Sequence, residues 1–352
     1  MDSIDRALLN VIQSHFPITV HPYQVLGLKV GTMEEDAFRR IQRLRQEGII
    51  RRLGGIFDSR RLGYYSTLCA AKVPEEKIPA LAELLAGVSG VTHNYLRNHE
   101  YNIWFTLIAR SQVVAERILQ NIRDSLKVPE IYSLPAIRVF KIKVDLDLNL
   151  ANQDSSLNKK IESVPDASLK ETEANLNILE AQDGSLFELK GFELRKEDIA
   201  LVKVLQANLP DSLTPYSVLA ENLHWSVEDV ISGTMRLKEA KVMRRFGAVL
   251  RHQKAGFVAN TMGVWQVEPE QAAQAGKIMA SFKEVSHCYQ RPTLPDWPYS
   301  FFTMIHGRSV QACEEVMKRI SLSTGISNYA MLFSIAELKK TSMQYFLEEE
   351  TN

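Results

Sequence analysis

The sequence has few cysteines and no long hydrophobic run. Only three of its 352 residues are cysteines, Cys69, Cys288 and Cys313, and they lie far apart. An odd number of scattered cysteines argues against a disulfide framework or a CxxC metal site and fits a reducing compartment. No apolar run is long enough to cross a bilayer, and the first ten residues, MDSIDRALLN, do not have the pattern of a signal peptide. We therefore expect a cytoplasmic protein without a membrane anchor.

An excess of charge is also absent. The 42 lysine and arginine residues balance 42 aspartate and glutamate residues. A strong nucleic-acid binder usually carries a clear basic excess, so the balance argues against that class. The hydrophobic fraction of 45% is ordinary for a globular protein, and the chain length favours two or more domains.

The chain repeats itself. The segment IDRALLNVIQSHFP, from Ile4, aligns without a gap with EDIALVKVLQANLP, from Glu197, and the same shift superposes Arg51-Arg52 on Arg244-Arg245. Later segments, VTHNYLR and VSHCYQR, also match after small insertions. Self-similarity over this length indicates a duplication. Between the copies, residues 148–192 are rich in Asn, Ser, Asp, Glu and Lys, which predicts a solvated linker.

Each copy begins with three short helical patterns. The apolar positions of residues 4–14 suit an amphipathic helix, and Thr32, with Glu35 three residues later, is a candidate N-cap for the third helix. A wing-like stretch, IIRRLGGIFDSRRLGY, follows. This order predicts a winged helix-turn-helix module.

The remainder of each copy alternates strands and helices in the order βαββαβ. This order is typical of a ferredoxin-like domain, whose helices cover one face of the sheet and leave the other face for a partner. We therefore predict an α+β fold in which the two halves cover each other as an internal pseudo-dimer. In the first half the six elements are predicted at 64–73, 74–85, 91–97, 101–109, 111–126 and 132–139. The predicted boundaries are 1–61 and 193–254 for the helix-turn-helix modules, 62–147 and 255–345 for the ferredoxin-like domains, and 148–192 for the linker.

An unusual set of side chains alternates along the predicted strand VTHNYLRNH. His93, Tyr95, Arg97 and His99 would share one face of an extended strand. Two imidazoles, a phenol and a guanidinium make a poor core face. They fit the wall of a pocket for a large, anionic, aromatic ligand.

The second copy carries the same pattern, with His287, Tyr289 and Arg291 at the matching positions. A lone histidine on a strand is more often a hydrogen-bonded structural residue than a catalyst. The recurrence of His-x-Tyr-x-Arg in both halves favours a functional role. The second copy has no counterpart of His99, so the two halves are unequal, and whether one or both are catalytic stays open.

A helix-turn-helix module followed by βαββαβ resembles the Lrp/AsnC family of regulators, and the stretches IDRALLNVIQ and RIQRLRQEGIIRRLGGIFDSRRLGY carry this likeness. The effector-binding Gly-Asp-Tyr-Asp-like turn of that family is replaced here by RNHEYN and RPTLPDWPYS. With their flanks, THNYLRNHEYNIWFTL and SHCYQRPTLPDWPYSFFTMIHGR, these turns resemble the two subunit types of sirohaem (siroheme) decarboxylase joined in one chain.

The resemblance implies a carboxy-lyase that converts the C12 and C18 acetate groups of siroheme to methyl groups, in heme d1 or alternative heme b biosynthesis. It implies no cofactor of the protein's own, because iron enters with the substrate. The macrocycle accepts the electron pair that CO2 leaves behind, so the protein supplies positioning and a proton. Alternatives are an Lrp/AsnC-type transcription regulator and a tetrapyrrole-binding protein without catalysis. The order of the two decarboxylations and any further homo-oligomer stay open.

Under this resemblance the catalytic candidates are His93, His287, Arg97 and Arg291, since imidazoles transfer protons near neutral pH and guanidiniums hold carboxylates. No metal site of the protein's own is predicted, and His93, His99 or His287 are candidates to face the siroheme iron. The candidates for substrate binding are Tyr95, His99, Tyr289, Trp297, Arg51, Arg52, Arg244 and Arg245.

Purely structural interpretations of these residues also stay open. Trp297 and the other hairpin aromatics are often plain packing residues, and the two Arg-Arg pairs fit a solvated or phosphate-facing wing equally well. His306 and Arg308 are further pocket candidates. DNA binding is not expected, because the third helix begins Thr-Met-Glu-Glu-Asp, and its carboxylates would repel phosphates.

Overall fold

The computed structural model describes residues 1–142, 179–180, 192–251 and 259–347. The predicted linker, 148–192, lies outside the described residues apart from 179–180 and 192. The described part of the first half contains five α-helices and six strands: α1 (Ser3–Ile12), α2 (Pro22–Val30), α3 (Glu34–Gln46), β1 (Ile50–Phe57), β2 (Tyr65–Ala71), α4 (Ile78–Gly87), β3 (Val91–Arg97), β4 (Ile103–Ala109), α5 (Gln112–Leu126), β5 (Ile131–Pro135) and β6 (Arg138–Ile142).

The second half repeats this order, which confirms the predicted duplication of a helix-turn-helix module and a ferredoxin-like domain. A two-residue strand, β7 (Leu179–Glu180), precedes it. The elements of the second half are α6 (Lys196–Leu205), α7 (Pro215–Leu223), α8 (Val227–Glu239), β8 (Met243–Leu250), β9 (Ala259–Trp265), α9 (Ala272–Ser281), β10 (Val285–Gln290), β11 (Phe301–Gly307), α10 (Val310–Thr324) and β12 (Tyr329–Lys340).

The start of α3 differs from the prediction. Thr32 is not its N-cap. Met33 occupies that position, and its side chain makes no capping hydrogen bond. The hydroxyl of Thr32 instead donates to the carboxylate of Asp36 at 2.7 Å, so it does not satisfy the free N–H groups of the first turn. The prediction of a Thr32 cap was therefore wrong.

Strands β1 and β8 form an antiparallel ribbon that joins the two halves, with Gly54 opposite Gly247. Each glycine lies against the other half: a Cβ on Gly54 would be 2.3 Å from the carbonyl oxygen of Ala207, and a Cβ on Gly247 would be 2.3 Å from that of Ile12. Only a residue without a side chain permits this approach. Each strand of the ribbon thus packs against the end of the other half's first helix.

The remaining strands form one ten-stranded arrangement, in the order β5-β2-β4-β3-β12-β9-β11-β10-β6-β7. The last strand of each half connects the two ferredoxin-like sheets. Residues 329–333 of β12 pair with β9 and residues 334–340 pair with β3. In the first half the predicted single strand 132–139 is two strands, since the chain leaves β2 after Pro135 and joins β10 from Arg138. This exchange confirms the internal pseudo-dimer.

The inner faces of the two sheets share an aromatic core. Trp104 of the first half packs against Trp297 and Phe302 of the second, with ring centroids 5.2 and 6.1 Å away. The outer faces are covered by α4 and α5 in one half and by α9 and α10 in the other. Among the described residues, no helix combines the length and the apolar character that crossing a membrane requires.

Candidate active site

A cavity of about 700 Å³ lies between the two inner sheet faces and the β1–β8 ribbon. Its wall includes residues of β1, β2, β3 and β4 from the first half and of β8, β9, β10 and β11 from the second. The volume is in the usual range for sites that hold small molecules or cofactors. Because both halves supply the wall, the cavity depends on their pairing.

The first His-x-Tyr-x-Arg set lies on β3 and faces this cavity. The imidazole of His93 stacks on the ring of Tyr95, with centroids 6.4 Å apart and planes at 26°, and the Arg97 guanidinium lies 5.4 Å from the same ring. The Nδ1 atom of His93 is 3.0 Å from the Thr92 hydroxyl. That hydrogen bond leaves Nε2 for a ligand. The phenol of Tyr95 donates to Glu337 at 3.4 Å.

The second set repeats this geometry on β10. His287 stacks on Tyr289 at 6.0 Å and 21°, and the Arg291 guanidinium lies 4.7 Å from the tyrosine ring. The Nδ1 atom of His287 is 2.9 Å from the hydroxyl of Ser286. The structure therefore brings six of the predicted site residues, three from each half, to one cavity.

Two of these arginines also connect the halves. Arg97 is only 3% exposed and donates to the carbonyl of Leu332 at 2.7 Å, while Arg291, 9% exposed, donates to the carbonyl of Leu134. Each accepting residue belongs to a strand of the opposite half, Leu332 to β12 and Leu134 to β5. Burial lowers the pKa of both guanidiniums to about 10, so both stay charged at neutral pH. Each Nε atom is buried and has no hydrogen-bond partner within the described part of the chain, so it is available to an anion.

The cavity is strongly cationic, although the whole chain has no net charge. Its only lining carboxylate, among the described residues, is Asp58. Such a wall favours a ligand with several negative charges. The cationic residues that line the cavity are Arg51, Arg52, Arg60, Arg61, Arg97, Arg244, Arg245, Arg291 and Lys340.

The four predicted wing arginines all line the cavity, but they make different bonds. Arg52 donates to the carbonyl of Gln206 at 2.7 Å and Arg245 donates to that of Gln13, so both hold the first helix of the opposite half. Arg51 donates to a backbone carbonyl at 3.4 Å, which leaves most of its donors for a ligand.

Arg244 is bound to the carboxylate of Asp58 by two hydrogen bonds of 2.8 and 3.0 Å. Burial opposes the charge of Arg244, but Asp58 outweighs it, and the pKa of Arg244 is raised. This ion pair leaves Arg244 less free than Arg51 to bind an anion.

Three imidazoles face the cavity, and burial is the main reason why the pKa of each is lowered. The pKa of His287 falls to about 3, with His306 and Arg244 adding to the effect. The pKa of His93 falls to about 4, with contributions from Arg51 and Lys340. The pKa of His306 also falls to about 4. Without a nearby anion these rings are therefore neutral at pH 7.

His99 and Trp297 lie outside the cavity wall. Strand β3 ends at Arg97, so His99 leaves the alternation and turns into the hairpin, where its Nδ1 accepts from the N–H of Tyr101 at 3.0 Å. Its ring contacts the edge of Trp297 at 5.3 Å, and Trp297 is 1% exposed within the aromatic core. These positions support a packing role, and the substrate-binding role stays a prediction.

Several residues in or next to the cavity wall were not predicted from the sequence. Lys340 reaches the cavity because β12 pairs with β3, and Ser286 bridges two imidazoles, His287 at 2.9 Å and His306 at 3.0 Å. Arg60 lies in the wing, where the basic run SRR was a visible signal; in the part of the chain described, its guanidinium makes no hydrogen bond. His306 lines the cavity, whereas Arg308 does not.

The described residues contain no group of three or more His, Cys, Asp or Glu side chains placed to hold a metal ion. In the helix-turn-helix module, the arginines of α3 bind carboxylates of the protein. Arg40 bonds to Asp36 at 2.6 Å and to Asp5 at 2.9 Å, and Arg43 bonds to Asp5 at 2.6 Å. These guanidiniums are therefore already paired with carboxylates of the protein, and a phosphate would have to compete with those carboxylates.

Two family models match the chain in duplicate. The AsnC-like ligand binding domain matches residues 61–141 and 254–339. The siroheme decarboxylase NirDL-like HTH domain matches residues 5–51 and 198–244. Each model thus matches once in each half.

Curated relatives agree with these matches. A siroheme decarboxylase of Hydrogenobacter thermophilus is 33% identical over 343 residues, which cover 97% of this chain and 95% of that protein. The siroheme decarboxylase alpha subunit of Desulfovibrio desulfuricans is 48% identical over 149 residues, covering 42% of this chain and 86% of the subunit. The beta subunit of the same organism is 46% identical over 151 residues, covering 43% and 95%.

Solved structures extend the likeness to the whole fold. The crystal structure of the siroheme decarboxylase NirDL has a TM-score of 0.69 at 30% identity, covering 98% of this chain and 94% of that one. The same enzyme in co-complex with an iron-uroporphyrin III analogue has a TM-score of 0.68 at 29% identity, covering 98% and 95%. With an enzyme relative matched along almost its entire length, this chain belongs to the siroheme decarboxylase family, in the form that joins both subunit types.

Proposed function

We propose that this chain decarboxylates the C12 and C18 acetate side chains of siroheme to give 12,18-didecarboxysiroheme, an intermediate for heme d1 or heme b. One observation carries the proposal: two His-Tyr-Arg sets from different halves face one cavity of about 700 Å³ whose charged lining residues, among those described, are all cationic except Asp58. A tetrapyrrole with acetate and propionate arms is large, aromatic and polyanionic, which matches that wall. The iron enters as part of the substrate.

The arginines bind and orient the carboxylate arms. Arg97 and Arg291 are held by backbone carbonyls and by tyrosine rings, so they present fixed donors at a cost of little side-chain entropy. Arg51, Arg60 and Lys340 supply further positive charge on the ribbon side of the cavity. Tyr95 and Tyr289 offer flat surfaces beside the macrocycle.

Each decarboxylation breaks the bond between the acetate CH2 and its carboxylate, releases CO2 and requires one proton at carbon. The electron pair passes into the macrocycle and returns as the new C–H bond forms. His93 and His287 are the proton-carrying groups. Both rings are neutral in the empty cavity, and the carboxylates of a bound substrate raise their pKa toward the physiological range, so substrate binding charges the donors.

Incubation of the protein with siroheme without oxygen, followed by mass spectrometry, tests the reaction. We expect the loss of two CO2 per substrate. The His93→Gln and His287→Gln variants should bind the pigment, as followed by its absorbance, yet lose at least about a hundredfold in rate. The matched control is His21→Gln, an exposed histidine of the helix-turn-helix module. Tight binding with an unchanged pigment mass would instead identify a non-catalytic tetrapyrrole carrier.

We infer that the helix-turn-helix modules serve as scaffold and do not bind DNA. The carboxylates at the start of α3 and the internal ion pairs of Arg40 and Arg43 support this inference. A gel-shift experiment at low salt with the promoter next to the gene should show no complex, and a specific complex would contradict it. The three cysteines are free and buried, which supports a reducing compartment such as the cytoplasm.

A further inference from the structure

A chain of three polar side chains lies on the second half's side of the cavity, and two of them, His287 and His306, line its wall. The Ser286 hydroxyl lies 2.9 Å from Nδ1 of His287 and 3.0 Å from Nε2 of His306. Ser286 is only 6% exposed, and its hydroxyl also donates to the carbonyl of Met304 at 3.2 Å, which fixes its place. The single hydroxyl proton is shared between that carbonyl and one imidazole, while the hydroxyl oxygen accepts from the other imidazole. These three residues therefore form a continuous hydrogen-bonded path.

The first half has no such path. Val91 pairs with Leu107 and Val285 pairs with Ile305, which makes Ile108 the counterpart of His306. Thr92 takes the place of Ser286 beside His93. Both halves thus have a hydroxyl next to the histidine, but only in the second half does a second imidazole, that of His306, lie within hydrogen-bond distance of this hydroxyl.

The far end of the path lies near the end of β11. His306 is the second-last residue of that strand and its Nδ1 atom is buried, whereas Arg308, just after the strand, is exposed. On the cavity side the charged groups that face His306 are Lys340 and Arg97. A proton on His306 can therefore pass to His287 through the Ser286 hydroxyl without passing through the bound substrate.

Resting on the proposed decarboxylation, we propose that His306 is a proton-relay residue that supplies His287 through Ser286, and that His287 is the proton donor of the second half. A neutral imidazole is a very weak acid unless its other nitrogen is protonated as it gives up its proton. The relay meets that requirement by hydrogen bonds already present in the empty protein.

In the proposed step the C–C bond of the acetate breaks and CO2 leaves, and the carbon takes the Nε2 proton of His287. The proton that replaces it comes from solvent when the substrate's carboxylates enter the cavity and charge His306. The Ser286 hydroxyl takes the Nε2 proton of His306 and gives its own proton to Nδ1 of His287. His306 is then neutral again, and His287 recovers its Nε2 proton form after the product leaves. The net change is one carboxylate and one proton converted to one C–H bond and CO2.

The decisive variants are Ser286→Ala, Ser286→Thr and His306→Ala, with Ser300→Ala as a control. Ser300 lies in the same domain, and its hydroxyl donates to the carbonyl of Val267 at 3.2 Å, away from the cavity wall. The readouts are single-turnover decarboxylation by mass spectrometry, pigment binding by absorbance and the solvent isotope effect in heavy water.

Ser286→Ala and His306→Ala should each lower the decarboxylation rate by about a hundredfold and leave pigment binding within about threefold, since general acid catalysis contributes on that scale. Ser286→Thr should keep most of the rate, because the first half already uses threonine there. Added imidazole should restore part of the rate of His306→Ala and should not restore Ser286→Ala. The solvent isotope effect should be smaller in both alanine variants than in the wild type.

Equal rates for Ser286→Ala and Ser300→Ala would overturn the relay while leaving the proposed enzyme intact. The relay is likewise overturned if His306→Ala loses pigment binding in proportion to its rate, because His306 would then be a binding residue. A wild-type protein that binds siroheme without releasing CO2 would remove the proposed function itself. The wild-type measurement thus separates the two failures.

Discussion

The three cavity imidazoles should make the empty protein unusually sensitive to mild acid. Against an ordinary value of 6.5, the pKa is lowered to about 4 for His93 and His306 and to about 3 for His287. At a pH between about 4 and 6.5, the three imidazoles are protonated in the unfolded chain and neutral in the folded chain. The unfolded state therefore holds more protons, so stability falls as the pH decreases from about 7 toward 4.

The size of the effect follows from the same shifts. At pH 5 an imidazole with a pKa near 6.5 when unfolded and near 4 or below when folded lowers the free energy of unfolding by about 2 kcal/mol. Three independent rings would give about 6 kcal/mol. All three rings line a cavity that admits water, which weakens the effect of burial on their pKa, and we expect about 4 kcal/mol in total. That is a large share of an ordinary folding free energy of about 5–15 kcal/mol.

Urea unfolding of the ligand-free protein at pH 7 and pH 5, followed by tryptophan fluorescence and circular dichroism, measures the difference. The triple variant with glutamine at His93, His287 and His306 is the control, because other titrating groups are unchanged. The wild type should lose about 4 kcal/mol more than the variant between the two pH values. Coincident transitions of both signals are required, since a chain of several domains can unfold in steps. Parallel losses in the two proteins would refute the reasoning.

Three further predictions test separate parts of the structure. Arg291→Lys should weaken tetrapyrrole binding, measured by absorbance titration, at least about tenfold, because lysine lacks the planar fork that binds a carboxylate bidentately. Gly247→Ala should destabilise the protein to urea by roughly 1–3 kcal/mol, since its Cβ would meet a backbone carbonyl, whereas Gly87→Ala, which meets nothing within 4 Å, should change stability little. His99→Gln should keep the decarboxylation rate within about threefold, while His93→Gln should lower the rate about a hundredfold. Equal rate losses in the two variants would show that His99 also acts in the site.

The duplication and the His-x-Tyr-x-Arg pattern are visible in the sequence because both depend on local order. Alternation along a strand decides which side chains share a face, so His93, Tyr95 and Arg97 were predicted together and lie together. The same rule failed for His99 because a strand's end depends on hairpin pairing. The N–H of Arg97 bonds to the carbonyl of Asn102, and the chain turns there.

Long-range pairing explains the residues that the sequence could not reveal. Lys340 lies in the cavity wall because the second half's last strand continues into the first half's sheet, opposite His93. The relay of Ser286 and His306 depends on the register between β10 and β11, and a one-residue slip would face His306 away. His306 was a pocket candidate in the sequence, but its link to Ser286 and the position of Lys340 carry no local signal.

The exchange of final strands also explains why two unequal halves belong in one chain. Each buried arginine bonds to a strand of the opposite half, so neither half alone completes its own site. Covalent joining keeps the halves at a high effective concentration and in fixed proportion. In a single chain, a mutation in one copy leaves the other copy unchanged. In a symmetric dimer of identical subunits, the same mutation would alter both sites. The structure shows this divergence beside the two tyrosines: Tyr95 pairs with Glu337, whereas Tyr289 pairs with Val139. One fold thus presents two different chemical environments to one asymmetric ligand.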